Sequence, residues 1–241
     1  MTARRPEYLM SLSDGRNDDV WIVIPVFNEQ TVIAEVVEEV RRTFPNVVCV
    51  DDGSRDGSAA AIRATGAHLV QHPINLGQGA ALQTGLDYAR RRGGAELFVT
   101  FDADGQHRVA DAQRMVEVAR SGDADVVLGS RFLDDAREVP LLKRIVLRVA
   151  AATSSSARRL NLTDAHNGLR VFTRAVADSL HISMNGMAHA SEIVNLLAVS
   201  NWRVREVPVS ILYTEYSKSK GQSLVNGVNI LFDLSIRQRG A

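Results

Sequence analysis

The stretch Leu97-Phe98-Val99-Thr100-Phe101-Asp102-Ala103-Asp104-Gly105-Gln106-His107 decides the reading of this chain. Five residues rich in β-formers run into two carboxylates and a glycine, the pattern of a buried strand that ends in an acidic turn. Side chains two apart on extended backbone point the same way, so Asp102 and Asp104 are expected to address one small volume. Two carboxylates that close repel each other unless a proton or a cation lies between them. The hard-oxygen set of Asp102, Asp104 and Gln106 suits Mg²⁺ or Mn²⁺ and leaves coordination positions for substrate phosphates. The plainer alternative is an acidic loop capping the next helix.

Outward from that stretch, short apolar strands alternate with amphipathic helices. Strands are expected at 20–26, 46–50, 68–71 and 125–128. Helices are expected at 58–63, after Asn75-Leu76-Gly77-Gln78-Gly79 to about 92, at 109–120, and at 29–43, where Val32, Ile33, Val36, Val37 and Val40 fall at helical spacing. Such alternation predicts an α/β domain with a single, mostly parallel sheet flanked by helices. Ligands gather at the carboxyl ends of strands in these sheets. Phe27 and Glu29, Asp51 and Asp52, and Asp102 and Asp104 follow the first, second and fourth strands, so they are expected to converge on one crevice.

Beyond 130 the pattern loosens. A helix is expected over 140–160, where Lys143, Arg144, Arg148, Arg158 and Arg159 stand beside Leu141, Leu142, Ile145, Val146 and Val149 with no acid between. A basic apolar stripe of this kind suits an anionic membrane surface or the face of its own domain. Further expectations are strands at 168–172 and 203–212 and helices at 190–200 and 224–236. Residues 1–19 read as a flexible polar tail and 20–241 as one domain.

At 241 residues the chain is long enough for a real core. The 28 basic residues balance the 28 acidic ones, so no global field draws nucleic acid and any anion site must be local. The single cysteine, Cys49, excludes an internal disulfide and points weakly to a reducing compartment. Neither a spanning apolar run nor a signal-peptide core occurs, which predicts a cytoplasmic protein, attached at most to the inner face of a membrane.

With those turns in view, the chain resembles glycosyltransferase family 2, of GT-A fold, and within it the polyprenyl-phosphate sugar synthases such as dolichyl-phosphate mannose synthase. The resemblance rests on Ile24-Pro25-Val26-Phe27-Asn28-Glu29, on the run from Val50 through Asp51-Asp52-Gly53-Ser54 to Ser58, on Asn75-Leu76-Gly77, on Asp102-Ala103-Asp104-Gly105-Gln106-His107 and on Gly129-Ser130-Arg131. It implies a metal-dependent, inverting transfer from a UDP- or GDP-sugar to a polyprenyl phosphate or a glycan. Pro25, Phe27 and Glu29 would then line the nucleoside pocket, and Asp51 would contact base or ribose. Asp102, Ala103 and Asp104 would meet nucleotide and metal, with Gln106 as a further metal ligand and Arg131 facing the diphosphate. In the second half, Asp164 with Gly168 and Arg170 matches a stretch near the acceptor, Glu192 a helix residue beside it, and Lys220 a lysine reaching the phosphates. Thr214 stands where the lipid-phosphate synthases usually carry an arginine.

A sugar hydroxyl as acceptor needs a general base, for which Asp164 and Glu192 are the candidates and His189 a weaker one; a lipid phosphate needs none. The duller roles are that Asp164 holds Arg170 and that Glu192 complements the start of its helix. A phosphatase of the haloacid dehalogenase type would use Asp102 as nucleophile and Asp104 as acid, but Gln106 occupies the usual Thr or Val position. A non-catalytic nucleotide-sugar binder serving a membrane enzyme would have no need of the metal-diphosphate set.

Overall fold

Val20–Val26 (β1) is buried along its whole length, and its residues divide between two layers: Ile22, Ile24 and Val26 join one core, Trp21 and Val23 the other. Burial on both faces is what a nearly all-apolar strand signals. The computed structural model describes residues 17–133 and 154–212. The elements that follow β1 are Ile33–Arg41 (α1), Asn46–Asp51 (β2), Ser58–Thr65 (α2), His68–Gln71 (β3), Gln78–Arg90 (α3), Leu97–Thr100 (β4) and Val109–Arg120 (α4). Then come Val126–Ser130 (β5), Ser155–Arg159 (α5), Arg170–Thr173 (β6), Arg174–Ser179 (α6), His189–Val199 (α7) and Val204–Pro208 (β7).

These strands form one sheet in the order β3-β2-β1-β4-β6-β5-β7. Only β6 runs against its neighbours, β4 and β5, so the sheet is mixed but mostly parallel, as expected. Apolar stripes of α1, α2 and α4 pack on one face and those of α3, α6 and α7 on the other. The chain winds outward from β1 through β2 to β3, then returns to place β4 on the other flank of β1. That reversal puts the turns after β2, β1 and β4 side by side, and the crevice at such a switch point is where ligands bind in open α/β sheets.

Several expectations are corrected. Residues 17–19 belong to the domain rather than to a loose tail: Asn17 is buried, its Nδ2 donates to the carbonyl of Thr43 and to Gln113 Oε1, both at 2.9 Å, and Asp19 pairs with Arg120. A continuous helix to residue 160 is also ruled out, since Ser154 in extended backbone accepts the Ala157 N–H and caps a new helix, α5. The strand expected over 203–212 stops at Pro208, which lacks an N–H. Asp111 then captures the Ser210 N–H at 2.8 Å and the chain crosses to bridge Ile211 with His107. Cys49 is buried, and burial pushes its thiol far up, so it packs rather than reacts. The basic stripe at 143–148 and the helix expected at 224–236 lie outside the described residues.

A charged cavity bounded by Asp19, Glu96, Arg120, Asp125, Arg174 and Asp178 lies at the amino ends of β1, β4 and β5, the opposite edge from the switch point. Its charges pair locally, Arg120 with Asp19 and Arg174 with Asp178.

Candidate functional site

The turn after β1 is laced to the turn after β2. Asn28 sits at φ 56°, a left-handed conformation that Asn tolerates. Its N–H donates to Ser54 Oγ and its Oδ1 accepts the Arg55 N–H, each at 2.9 Å, while the Glu29 N–H donates to Ser58 Oγ at 2.8 Å. Pro25 is buried within β1; Phe27, 45% exposed, presents its ring at the carboxyl edge of the sheet.

Asp51 and Asp52 have different partners. Asp51 accepts the Ser54 N–H at 3.1 Å and Gln71 Nε2 at 3.2 Å. Asp52 accepts the N–H groups of Leu76 at 2.9 Å and Gly77 at 2.7 Å, and lies 2.7 Å from His72 Nδ1, whose Nε2 reaches Thr84 Oγ1 at 3.0 Å. Gly53, at φ 71°, permits the same union: a Cβ there would stand 2.5 Å from the backbone carbon of Ile74. The buried Asp52 carboxylate therefore fixes the loop that launches α3. Nothing in the linear pattern singled out His72, because its partners are 12 and 20 residues away.

At the acidic stretch the strand stops at Thr100 and the chain turns through 103–105, so the turn, rather than strand alternation, sets the relation between Asp102 and Asp104. Ala103 faces inward and packs in the core with Phe101. Asp102 is held on both oxygens: Gln78 Nε2 donates to Oδ1 at 3.3 Å, and Oδ2 lies 2.9 Å from His107 Nε2. Backbone at Gly168 closes the third side, since a Cβ there would stand 2.3 Å from Asp102 Oδ2. Burial raises the Asp102 pKa, but the His107 hydrogen bond and the positive potential of His107 and Arg170 outweigh it, and the net shift is down. Asp104 goes the other way: burial and the charges of Asp102 and Glu29 push it up to about 6, although the Gln106 N–H supports Oδ1 at 3.1 Å. The buried Gln106 also accepts the Leu212 N–H on its carbonyl, at 2.8 Å.

Arg131 and Asp164 meet directly. Arg131 Nε donates to Asp164 Oδ2 at 2.6 Å and Nη2 to Oδ1 at 2.8 Å, a two-pronged pair that keeps the carboxylate ionised despite its burial. Asp164 thus holds Arg131 and not Arg170. Glu206, on β7, clamps the same segment by accepting the N–H groups of Thr163 at 2.8 Å and Asp164 at 2.9 Å. Glu192, in the first turn of α7, accepts from Ser183 Oγ and from the N–H groups of Ser183 and Met184, which lowers its pKa against a raising effect of burial. Both carboxylates named as candidate bases are therefore engaged. Arg170 is buried where it feels Asp102 and Asp164; burial pushes its pKa down to about 10 against the pull of those two charges. His189, buried with Nδ1 2.8 Å from the Gly186 carbonyl, has its pKa lowered by burial foremost. Lys220 lies outside the described residues.

Two buried side-chain nitrogens, His107 Nδ1 and Asn167 Nδ2, have no partner among the described residues. Each costs about 1–3 kcal/mol if left so. His107 is bonded to Asp102, and Asn167 adjoins the Gly168 that abuts it.

No group of three or more His, Cys, Asp or Glu side chains gathers into a metal cage among the described residues. The oxygen-only pair Asp102 and Asp104 still fits a divalent cation that takes its remaining ligands from phosphates, because an ion there would offset both the burial and the Asp102 charge that raise Asp104. A cation held there would compete with protons at Asp104. Mn²⁺ affinity is expected to be flat above about pH 6 and to fall about tenfold per unit below it; titrations across that range check this, and an affinity that ignores pH contradicts it.

The sequence profile described as "Glycosyl transferase family 2" matches residues 21–180. The chain belongs to glycosyltransferase family 2. This family 2 glycosyltransferase is 26% identical over 243 residues to the UDP-N-acetylglucosamine–dolichyl-phosphate N-acetylglucosaminyltransferase of Methanococcus voltae, covering 92% of this chain and 96% of that one. It is 29% identical over 222 residues to the polyprenol monophosphomannose synthase of Mycolicibacterium smegmatis, covering 87% and 82%. Its fold is that of the glucosyl-3-phosphoglycerate synthase of Mycobacterium tuberculosis, solved with Mn²⁺, UDP and glucosyl-3-phosphoglycerate: TM-score 0.61 at 18% identity, covering 96% of this chain and 86% of that one. The GT-A architecture expected from the motifs is thus the one present. No helix among the described residues is long and apolar enough to cross a membrane.

Proposed function

We propose that this glycosyltransferase moves a sugar from a UDP- or GDP-sugar to the phosphate of a polyprenyl phosphate, with inversion at the anomeric carbon. The observation that carries the choice of acceptor is the engagement of Asp164 by Arg131 and of Glu192 by residues 183–184. A sugar hydroxyl needs a base to take its proton, whereas a phosphate arrives ionised. The printed names of the relatives support the same acceptor class.

In this reading Pro25, Phe27, Glu29 and Asp51 line the nucleoside pocket at the switch point, and Ala103 packs beneath the nucleotide. Asp102 and Asp104, with Gln106 beside them, would hold Mg²⁺ or Mn²⁺; bound there, the ion stabilises charge on the departing diphosphate by several kcal/mol. Arg131, oriented by Asp164, and Lys220 face the phosphates. A phosphate oxygen of the acceptor attacks the anomeric carbon as its bond to the diphosphate oxygen breaks. The electron pair leaves with the nucleoside diphosphate, and no proton changes hands. A lipid acceptor would bring the protein to a membrane surface, in this reading the cytoplasmic face, and Lys143, Arg144 and Arg148 would supply positive charge for anionic headgroups.

Labelled UDP- and GDP-sugars incubated with Mn²⁺ and either undecaprenyl phosphate or an oligosaccharide test this. Solvent-extractable label with release of the nucleoside diphosphate is expected in the lipid arm. Label only in the oligosaccharide would overturn the acceptor; inorganic phosphate released from a phosphomonoester would favour a phosphatase instead.

A further inference from the structure

We infer that His107 is a positioning residue for Asp102: its Nε2 grips Oδ2 and, with Gln78 on Oδ1 and the Gly168 backbone behind, fixes the carboxylate in the orientation that receives the cation. The geometry carries this. His107 is 6% exposed, its ring stands edge-on to Phe101 at 5.3 Å, and its Nε2 lies 2.9 Å from the carboxylate. Packing does not explain the residue type, because an apolar ring of the same shape would fill the space without leaving Nδ1 buried and unpartnered. The contact with Asp102 is the one polar service that the ring performs among the described residues. Among the described residues Asp104 accepts only the Gln106 N–H, on Oδ1, so the two acids are held unequally there, Asp102 on both oxygens and Asp104 on one. Outer-shell donors of this sort orient ligating carboxylates, and their loss weakens metal binding about 10- to 100-fold.

The inference rests on the proposal that Asp102 and Asp104 hold a divalent cation, and the experiment separates the two. Mn²⁺ binding in the presence of UDP, followed by electron paramagnetic resonance, is compared for the wild-type chain, Asp104→Asn, His107→Phe, His107→Gln and His107→Asn, with the melting temperature of each. Gln places an amide nitrogen near the Nε2 position; Asn places one near Nδ1, too short to reach Asp102. The expected result is a 10- to 100-fold weaker Mn²⁺ affinity for His107→Phe and His107→Asn and recovery to within about threefold of wild type for His107→Gln. The Gln and Asn pair keeps the test decisive where the Phe variant does not fold. A site that binds Mn²⁺, loses it in Asp104→Asn and keeps it unchanged in His107→Asn overturns the positioning role alone. A wild-type chain that binds no Mn²⁺ with UDP or GDP overturns the metal reading and the inference together.

Discussion

Asp104→Asn is expected to lower kcat/KM by about 10³-fold while the melting temperature stays level or rises. The magnitude follows from the stabilisation of a leaving diphosphate by a bound cation, about 4 kcal/mol at about 1.36 kcal/mol per decade of rate. Stability is set by a separate effect. The Asp104 pKa is raised to about 6 in the folded chain by burial and by the charges of Asp102 and Glu29. A carboxyl raised on folding supports the fold fully only below its unfolded value, and that support is lost as pH rises through about 6. At neutral pH the ionised group is thus a net cost, and a neutral amide removes it. Such opposition between stability and activity marks a residue held for chemistry. Steady-state kinetics and thermal denaturation of the same preparation measure both halves; full activity in the variant would place the site elsewhere.

Asp164→Ala is expected to destabilise the fold by about 1.5–3 kcal/mol, because it removes both prongs of the hydrogen-bonded pair with the Arg131 guanidinium. For a chain of this size that is a fall of roughly 3–12 °C in melting temperature. Asp164 also accepts the Arg131 N–H at 3.2 Å, so the loss reaches the backbone at the end of β5. The folded pKa is depressed by the Arg131 charge and hydrogen bonds against the opposing effect of burial. Its contribution is therefore present above the unfolded value, about 3.9, and is lost as pH falls through the lower folded value. The wild type should lose this increment only in acid, and the Ala variant should lack it at every pH. A variant that melts within about 2 °C of wild type would contradict this stabilising role for the pair.

The sheet was legible because its strands are short apolar runs closed by acids, glycine or proline. Val20–Val26, Asn46–Asp51 and Leu97–Thr100 begin and end close to where their residues predict. Convergence of the turns after β1, β2 and β4 followed from the rule for parallel sheets, and the strand order bears out their adjacency. Partners were not legible. Asp164 meets Arg131 across 33 residues, and Glu206 reaches Thr163 across 43, and no local period encodes either. The alternation argument for Asp102 and Asp104 used the spacing of an extended strand where the chain has already turned. Short α6 follows β6 without a break and carried no signal of its own. His107 adjoined the acids in sequence, but its role appears only once its ring is seen against Asp102.

The most direct test is anomalous diffraction at the manganese absorption edge from crystals grown with Mn²⁺ and UDP or GDP. The account predicts one strong peak between the diphosphate and the carboxylates of Asp102 and Asp104, with Asp104 a direct ligand at about 2.0–2.2 Å. A nucleotide seated at the carboxyl edge of β1 and β4, with manganese absent from those aspartates or bound elsewhere, would contradict it.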